Sequence, residues 1–241
     1  MNPSNLAHGV PELLMESVLK MTTAGHRARL KGGSLRQASC GAVLLAVVSG
    51  QAPAFTVTLT PAAPLTVYLQ VGVGSFTKDY INRGAPQNNA TINTESVTVA
   101  SAVVGNGTAQ AMTTNSTAAR SYYDGFAYCT VPGQLYIGGF YRTTGGATAA
   151  ALVTATVPAA LTNATGDLLP FSKIQWTSSG NGDSGAEPFP SASFVSGGVQ
   201  QVGSMSSNTW NESCWTFSYL NDTVPPAGTY FGVVLYTLSA P

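Results

Sequence analysis

The chain carries little charge and almost no histidine. Asp, Glu, Lys and Arg together make up 8% of its 241 residues, yet mean hydropathy is only +0.14. The polar surface must therefore come from Ser, Thr, Asn, Gln and Gly. Exposed helix faces are normally built from long charged side chains that lose little rotamer freedom there, so this composition argues against a helical protein. Thr, Val, Tyr and Phe suit a pleated, half-buried surface, which points to an extracellular all-β protein. The histidines, His8 and His26, both lie near the N-terminus. Residues 55–241 therefore contain none. A Ser-His-Asp triad, a Cys-His pair and the usual zinc ligands cannot be assembled there. No Gly-x-Ser-x-Gly elbow, P-loop or dinucleotide fingerprint occurs.

Basic residues are also scarce where they would matter. Beyond residue 54, Lys78, Arg83, Arg120, Arg142 and Lys173 face eight acids, a net charge of −3. Nucleic-acid binding needs clustered Lys and Arg to neutralise phosphates, so that class of partner is excluded.

The first 54 residues have a different character. A basic stretch, Arg27 to Arg36, precedes the short apolar run Cys40–Val48, and Ala52-Pro53-Ala54 follows with small residues. This is the order of a secretory signal. It predicts cleavage after Ala54, a signal region 1–54 with Met21 as the start of a more ordinary leader, and a mature domain 55–241. The apolar run is too short for a permanent membrane span. The alternative for residues 10–22 is a short helix of the mature fold, since Val10, Leu13, Leu14, Val18 and Met21 have roughly helical spacing.

Two cysteines remain after such cleavage, Cys129 and Cys214. An even pair in an oxidising compartment predicts a disulfide, here between the strand-like runs Tyr122–Val131 and Trp210–Tyr219.

Period-two alternation recurs along the mature chain. Strands are expected at 55–60, 65–73, within 92–104, at 122–131, 135–142, 147–157, 171–176 and 199–202, and at the C-terminal pair 215–219 and 230–236. In the first of that pair Trp215, Phe217 and Tyr219 share a face, and in the second Phe231, Val233 and Leu235 do. Asn221-Asp222 and Pro225-Pro-Ala-Gly228 read as their hairpin connection. Gly105-Asn-Gly107 and Pro132-Gly133 are turn signals, and Ser178–Gly185 reads as a flexible loop. Many short strands with frequent turns predict a single antiparallel β-sandwich, Ig-like or jelly-roll-like.

The C-terminal part, with Leu169–Ser178, Trp215-Thr-Phe-Ser-Tyr219 and Gly228-Thr-Tyr-Phe-Gly-Val-Val-Leu-Tyr-Thr237, resembles uncharacterised bacterial secreted β-sandwich proteins. It also broadly resembles Ig-like, pilin-like subunits of bacterial surface structures. The resemblance implies a bacterial cell-surface setting and carries over no functional residue.

The chemistry left open is sparse, and no cofactor is implied. Aromatics can form a sugar-stacking platform. Trp176, Trp210, Tyr122 and Tyr123 are the candidates, with Trp210 singled out because Asn208, Thr209, Asn211 and Glu212 flank it. Asp183 and Glu187 are weak calcium candidates in a polar loop, for which an ordinary turn is the alternative. A carboxylate pair could serve a glycosidase. Six Asn-x-Ser/Thr sites occur, at Asn89, Asn106, Asn115, Asn163, Asn211 and Asn221. The expectation is a secreted, non-catalytic surface protein, structural or adhesive, with a carbohydrate-binding module and a small carboxylate-dependent glycosidase as alternatives. The partners expected are other surface subunits or further copies of the chain, joined by addition of the strand Phe55–Thr60, or glycans.

Overall fold

The computed structural model describes residues 66–87, 91–143, 149–183 and 185–241, together with the backbone of Glu12–Val18. The expected cleavage after Ala54 and the strand Phe55–Thr60 lie outside the described residues. Among those residues, no helix is long and apolar enough to cross a membrane.

The alternating runs form strands. In chain order these are β1 (Glu12–Val18), β2 (Thr66–Val71), β3 (Asn93–Thr98), β4 (Gln110–Ala111), β5 (Thr113–Thr114), β6 (Leu135–Arg142) and β7 (Ala151–Val157). They continue with β8 (Ala160–Thr162), β9 (Leu168–Pro170), β10 (Ile174–Ser179), β11 (Ala192–Ser193), β12 (Gly198–Met205), β13 (Trp210–Tyr219) and β14 (Thr229–Ser239). One sheet has the order β12-β7-β14-β1-β3-β5, with β8 joining β14 and β9 joining β8. The second runs β11-β10-β13-β6-β2, with β4 on β13. The two pack face to face as a β-sandwich, the fold the alternation predicts. The backbone of Glu12–Val18 is a strand, not the helix its spacing allowed. It runs parallel to β14 and antiparallel to β3.

Period-two patterning explains the core. In β7, Ala151, Val153, Ala155 and Val157 point inward while Leu152, Thr154 and Thr156 alternate outward. Trp215, Phe217 and Tyr219 of β13 are buried on one face, as expected. They meet Trp176 of β10, whose ring centroid is 4.9 Å from that of Trp215. Trp176 is therefore a core residue, and its indole N–H donates to the Pro190 carbonyl at 2.9 Å. In β14 the inward residues are Tyr230, Val234 and Tyr236, whereas Phe231, Val233 and Leu235 share the outward face.

The C-terminal pair is not a hairpin. β13 lies between β10 and β6, while β14 lies between β7 and β1 in the other sheet. Both strands carry large inward side chains, and only across the sandwich can each set bury the other. The Trp215 and Tyr236 rings meet there at 6.0 Å. The crossing is pinned by buried Asn221, whose backbone takes φ +50°. Its Nδ2 donates to the Val103 carbonyl at 2.9 Å, and its Oδ1 accepts the Gly105 N–H at 2.9 Å. Residues 101–104, expected as the end of a strand, turn there instead and run into the expected turn at Gly105, which takes φ +73°.

β6 is buried along its whole length. One of its faces looks into the sandwich. Segments 72–87 and 115–134 cover the other, forming a third layer. The two segments are joined by the Tyr80 and Ile81 N–H groups, which donate to the carbonyls of Tyr122 and Tyr123. The expected strand Tyr122–Val131 is part of this cover rather than of either sheet. It turns tightly at Asp124-Gly125, where Gly125 has φ +83°. The Phe126 N–H donates to Asp124 Oδ1 and the Gly125 N–H to the Ser121 carbonyl, each at 3.0 Å. The expected start of a strand at Phe171 is a one-turn 3-10 helix, Phe171–Lys173, leading into β10.

Candidate functional site

The outer face of the second sheet is built in rows. Tyr68, Phe140 and Trp210 stand side by side across β2, β6 and β13, and the next row is Gln70, Gly138 and Glu212. The row after that pairs Tyr136 with Cys214. Cys214 is bonded to Cys129, with the two Cα atoms 5.6 Å apart. The expected disulfide is therefore present, and it staples the covering layer to β13.

Glu212 is the centre of the polar row. Gly138 stands opposite it and leaves room. A Cβ there would come within 2.5 Å of the Tyr136 hydroxyl and 3.0 Å of the Glu212 Cβ. Through that space the Tyr136 hydroxyl donates to Glu212 Oε2 at 2.6 Å. The Trp210 indole N–H donates to the same oxygen at 2.9 Å, and the Ser121 hydroxyl donates to Oε1 at 2.7 Å. The Tyr128 hydroxyl donates to the Glu212 carbonyl at 3.1 Å. Burial raises the Glu212 pKa, and the hydrogen bonds from Tyr136, Ser121 and Trp210 pull it back down.

A cleft of about 360 Å³ opens beside this network. Its walls are Ser121, Tyr123, Asp124, Phe126, Ala127 and Tyr128 from the covering layer, Asn181 and Asp183 from the loop after β10, and Trp210 and Glu212 from β13. Phe126 is 74% exposed. Asp183 stands at the rim, and partial desolvation followed by the negative charge of Asp124 raises its pKa. The loop is anchored by Asn181, whose Nδ2 donates to the Tyr128 carbonyl and to Gln134 Oε1. The stretch expected to be flexible is thus tied to the covering layer through this side chain.

Trp210, Tyr123 and Asp183 are brought together here. Trp210 is not the free platform its polar neighbours implied. Its ring packs against Tyr68, Phe76, Tyr80, Tyr123 and Phe140, with centroids 5.4–6.3 Å away, and only part of it reaches the cleft. Tyr123 is buried, while its neighbour Tyr122 packs on Phe76 and Tyr136. Tyr122 does not line the cleft. Asp183 and Glu187 both lie against Gly180, but Glu187 Oε2 accepts the Ser213 hydroxyl at 3.0 Å. Among the described residues, no three His, Cys, Asp or Glu side chains gather as a metal site would require.

Sequence reasoning gave Phe126 no role and Glu212 only a place beside Trp210 and among the acids of a carboxylate pair. A signal for Glu212 was present in the alternation Trp210, Glu212, Cys214. Once Cys214 is assigned to a disulfide, that face of β13 must be covered rather than solvated. Phe126 had no comparable signal, because only the turn at Gly125 aims it outward.

Comparison with protein-family models, with curated proteins and with solved structures returned no match.

Proposed function

We propose that this is an exported surface protein of adhesive type, whose cleft between the covering layer and β13 binds glycans. One observation carries the reading: aromatic side chains and hydrogen-bonding carboxylates line a single cleft on a face braced by a disulfide. Sugars present apolar ring faces that stack on aromatic side chains, and rims of hydroxyls that need polar partners. Phe126 offers the exposed ring, and Asp124 and Asp183 offer the acceptors.

The hydrogen bonding of Glu212 favours binding over catalysis. A glycosidase acid must hold a proton toward the scissile oxygen, whereas both carboxylate oxygens of Glu212 already accept donors from the protein.

The test is a glycan array followed by titration calorimetry on the best ligand, with Phe126→Ala as the probe. Phe126 is so exposed that its removal leaves the melting temperature within about 1–2 °C of the parent. Binding should weaken by roughly tenfold or more, the order of one lost stacking contact. Unchanged affinity in Phe126→Ala would remove the assigned site.

A second reading, assembly by strand addition, is favoured by the position of Glu12–Val18 between β14 and β3. If the segment 1–54 is removed on export, that position becomes vacant and can take a strand from another subunit. Intact mass and oligomeric state of the exported protein test this. An exported chain that keeps residues 12–18 would sink it.

A further inference from the structure

We infer, on the glycan reading above, that the sugar taken by this cleft carries a protonated amine, as oligomers of glucosamine do. Two observations meet in this. The first is the inventory of donors and acceptors on the walls. The Ser121 hydroxyl, the Trp210 indole N–H and the Tyr128 hydroxyl are all committed to Glu212. The Asn181 amide donates to Tyr128 and Gln134. These side-chain donors are spent inside the protein, and both Glu212 carboxylate oxygens are spent with them, so what the wall offers a ligand is chiefly the acceptors of Asp124 and Asp183. A ligand that fits must bring donors of its own. An ammonium group brings three in one compact charge, and hydrogen bonds from it to carboxylates are about twice as strong as neutral ones.

The second observation is the charge of the walls together with their rings. Among the described residues, no Lys or Arg lines the cleft, while three acids do. A uronic acid or a sulfated sugar would meet like charge. A cation meets the carboxylates and, beside them, the exposed face of Phe126, where the ring quadrupole attracts positive charge. The electrostatics agree, since Asp183 and Glu212 each sit in the negative field of a neighbouring acid, Asp124 and Asp183 respectively. An entering ammonium relieves both.

The experiment is calorimetric titration of the full chain with four tetrasaccharides and one peptide. The sugars are β-1,4-linked glucosamine, N-acetylglucosamine, glucose and galacturonate, and the peptide is tetralysine. The expected result is binding of the glucosamine tetramer at least about tenfold tighter than its acetylated form, the least that one charge-assisted hydrogen bond supplies. This preference should shrink as NaCl is raised. In Asp124→Asn/Asp183→Asn it should fall toward one, and Asp183→Asn alone should give a smaller loss. Equal affinity for the glucosamine, N-acetylglucosamine and glucose tetramers overturns the amine while leaving the glycan reading in place. Tetralysine bound as tightly as the glucosamine tetramer overturns the sugar. No binding by any of the four sugars removes the glycan reading and the amine with it.

Discussion

Raising the pH from 5 to 8 should destabilise this protein through one carboxyl, that of Glu95. The residue lies on β3 at a register position opposite Met15 of β1 and Thr114 of β5. It is only 4% exposed, and among the described residues its Oε1 has no hydrogen-bond partner. Burial pushes its pKa from 4.5 up to about 8, and a hydrogen bond with Thr114 opposes the shift only in part. In the unfolded chain the same carboxyl ionises near its ordinary value. Between the two pKa values folding therefore takes up a proton. The contribution to stability is complete below about pH 4.5, declines as pH rises, and is gone above about pH 8. At 1.36 kcal/mol per pH unit the full shift corresponds to roughly 4–5 kcal/mol, an upper figure. That is a large share of the 5–15 kcal/mol typical of a whole domain. Urea unfolding at intervals between pH 5 and pH 9 reads this directly. The parent midpoint should fall across the window and level off above pH 8. Glu95→Gln keeps the shape and an amide for Thr114 but cannot ionise, so its curve should be flatter by the Glu95 contribution. Glu212 titrates in the same direction and is present in both proteins, so the difference between the curves isolates Glu95. Parallel pH profiles for parent and variant would refute the reasoning.

Other perturbations test the remaining layers. Replacing both Cys129 and Cys214 by Ser reopens a loop of 85 residues, which should cost roughly 4–5 kcal/mol in denaturant melts and weaken glycan binding, because the covering layer loses its staple. Gly138→Ala forces a methyl group against the Tyr136 hydroxyl and the Glu212 Cβ. About 1–3 kcal/mol of stability should be lost, with changed tyrosine fluorescence marking the displaced network. Asn221→Ala removes the acceptor for the Gly105 N–H and the donor to Val103. As Asn221 is buried and its partners are half-buried, the expected loss is about 1–3 kcal/mol by thermal melting. The same burial should leave Asn221 unmodified in the folded protein if its Asn-x-Thr site meets a glycosylating pathway, which peptide mapping can check.

Much of the fold is legible in the sequence. Period-two spacing in Trp215–Tyr219 and Tyr230–Tyr236 marked strands, because a strand half-buried in a sheet must alternate, and turn residues beside Leu135–Arg142 and Ala147–Val157 marked these apolar runs as strands too. Scarce Lys and Glu marked the all-β class, and a lone even pair of cysteines marked the disulfide. Alternation assigns a residue to a face and says nothing about what covers that face. Trp215, Phe217 and Tyr219 were placed correctly because the sandwich covers them. Phe231, Val233 and Leu235 show the same pattern and point outward.

The candidate site depended on a layer that local pattern cannot encode. Tyr122–Val131 has the composition of a strand, but its aromatics pack on the outside of the second sheet, and the turn at Asp124-Gly125 keeps it from pairing. Only that docking makes Glu212 an interior acceptor and Phe126 an exposed ring. Composition and period-two spacing by themselves determined that this chain is an all-β sandwich with one disulfide and no histidine chemistry beyond residue 54, since those properties follow from each residue and its nearest neighbours. Which sheet each strand joins, and which residues line the cleft, only the tertiary structure decided. Those properties arise from contacts such as Ser121 with Glu212 and Cys129 with Cys214, which join residues far apart along the chain.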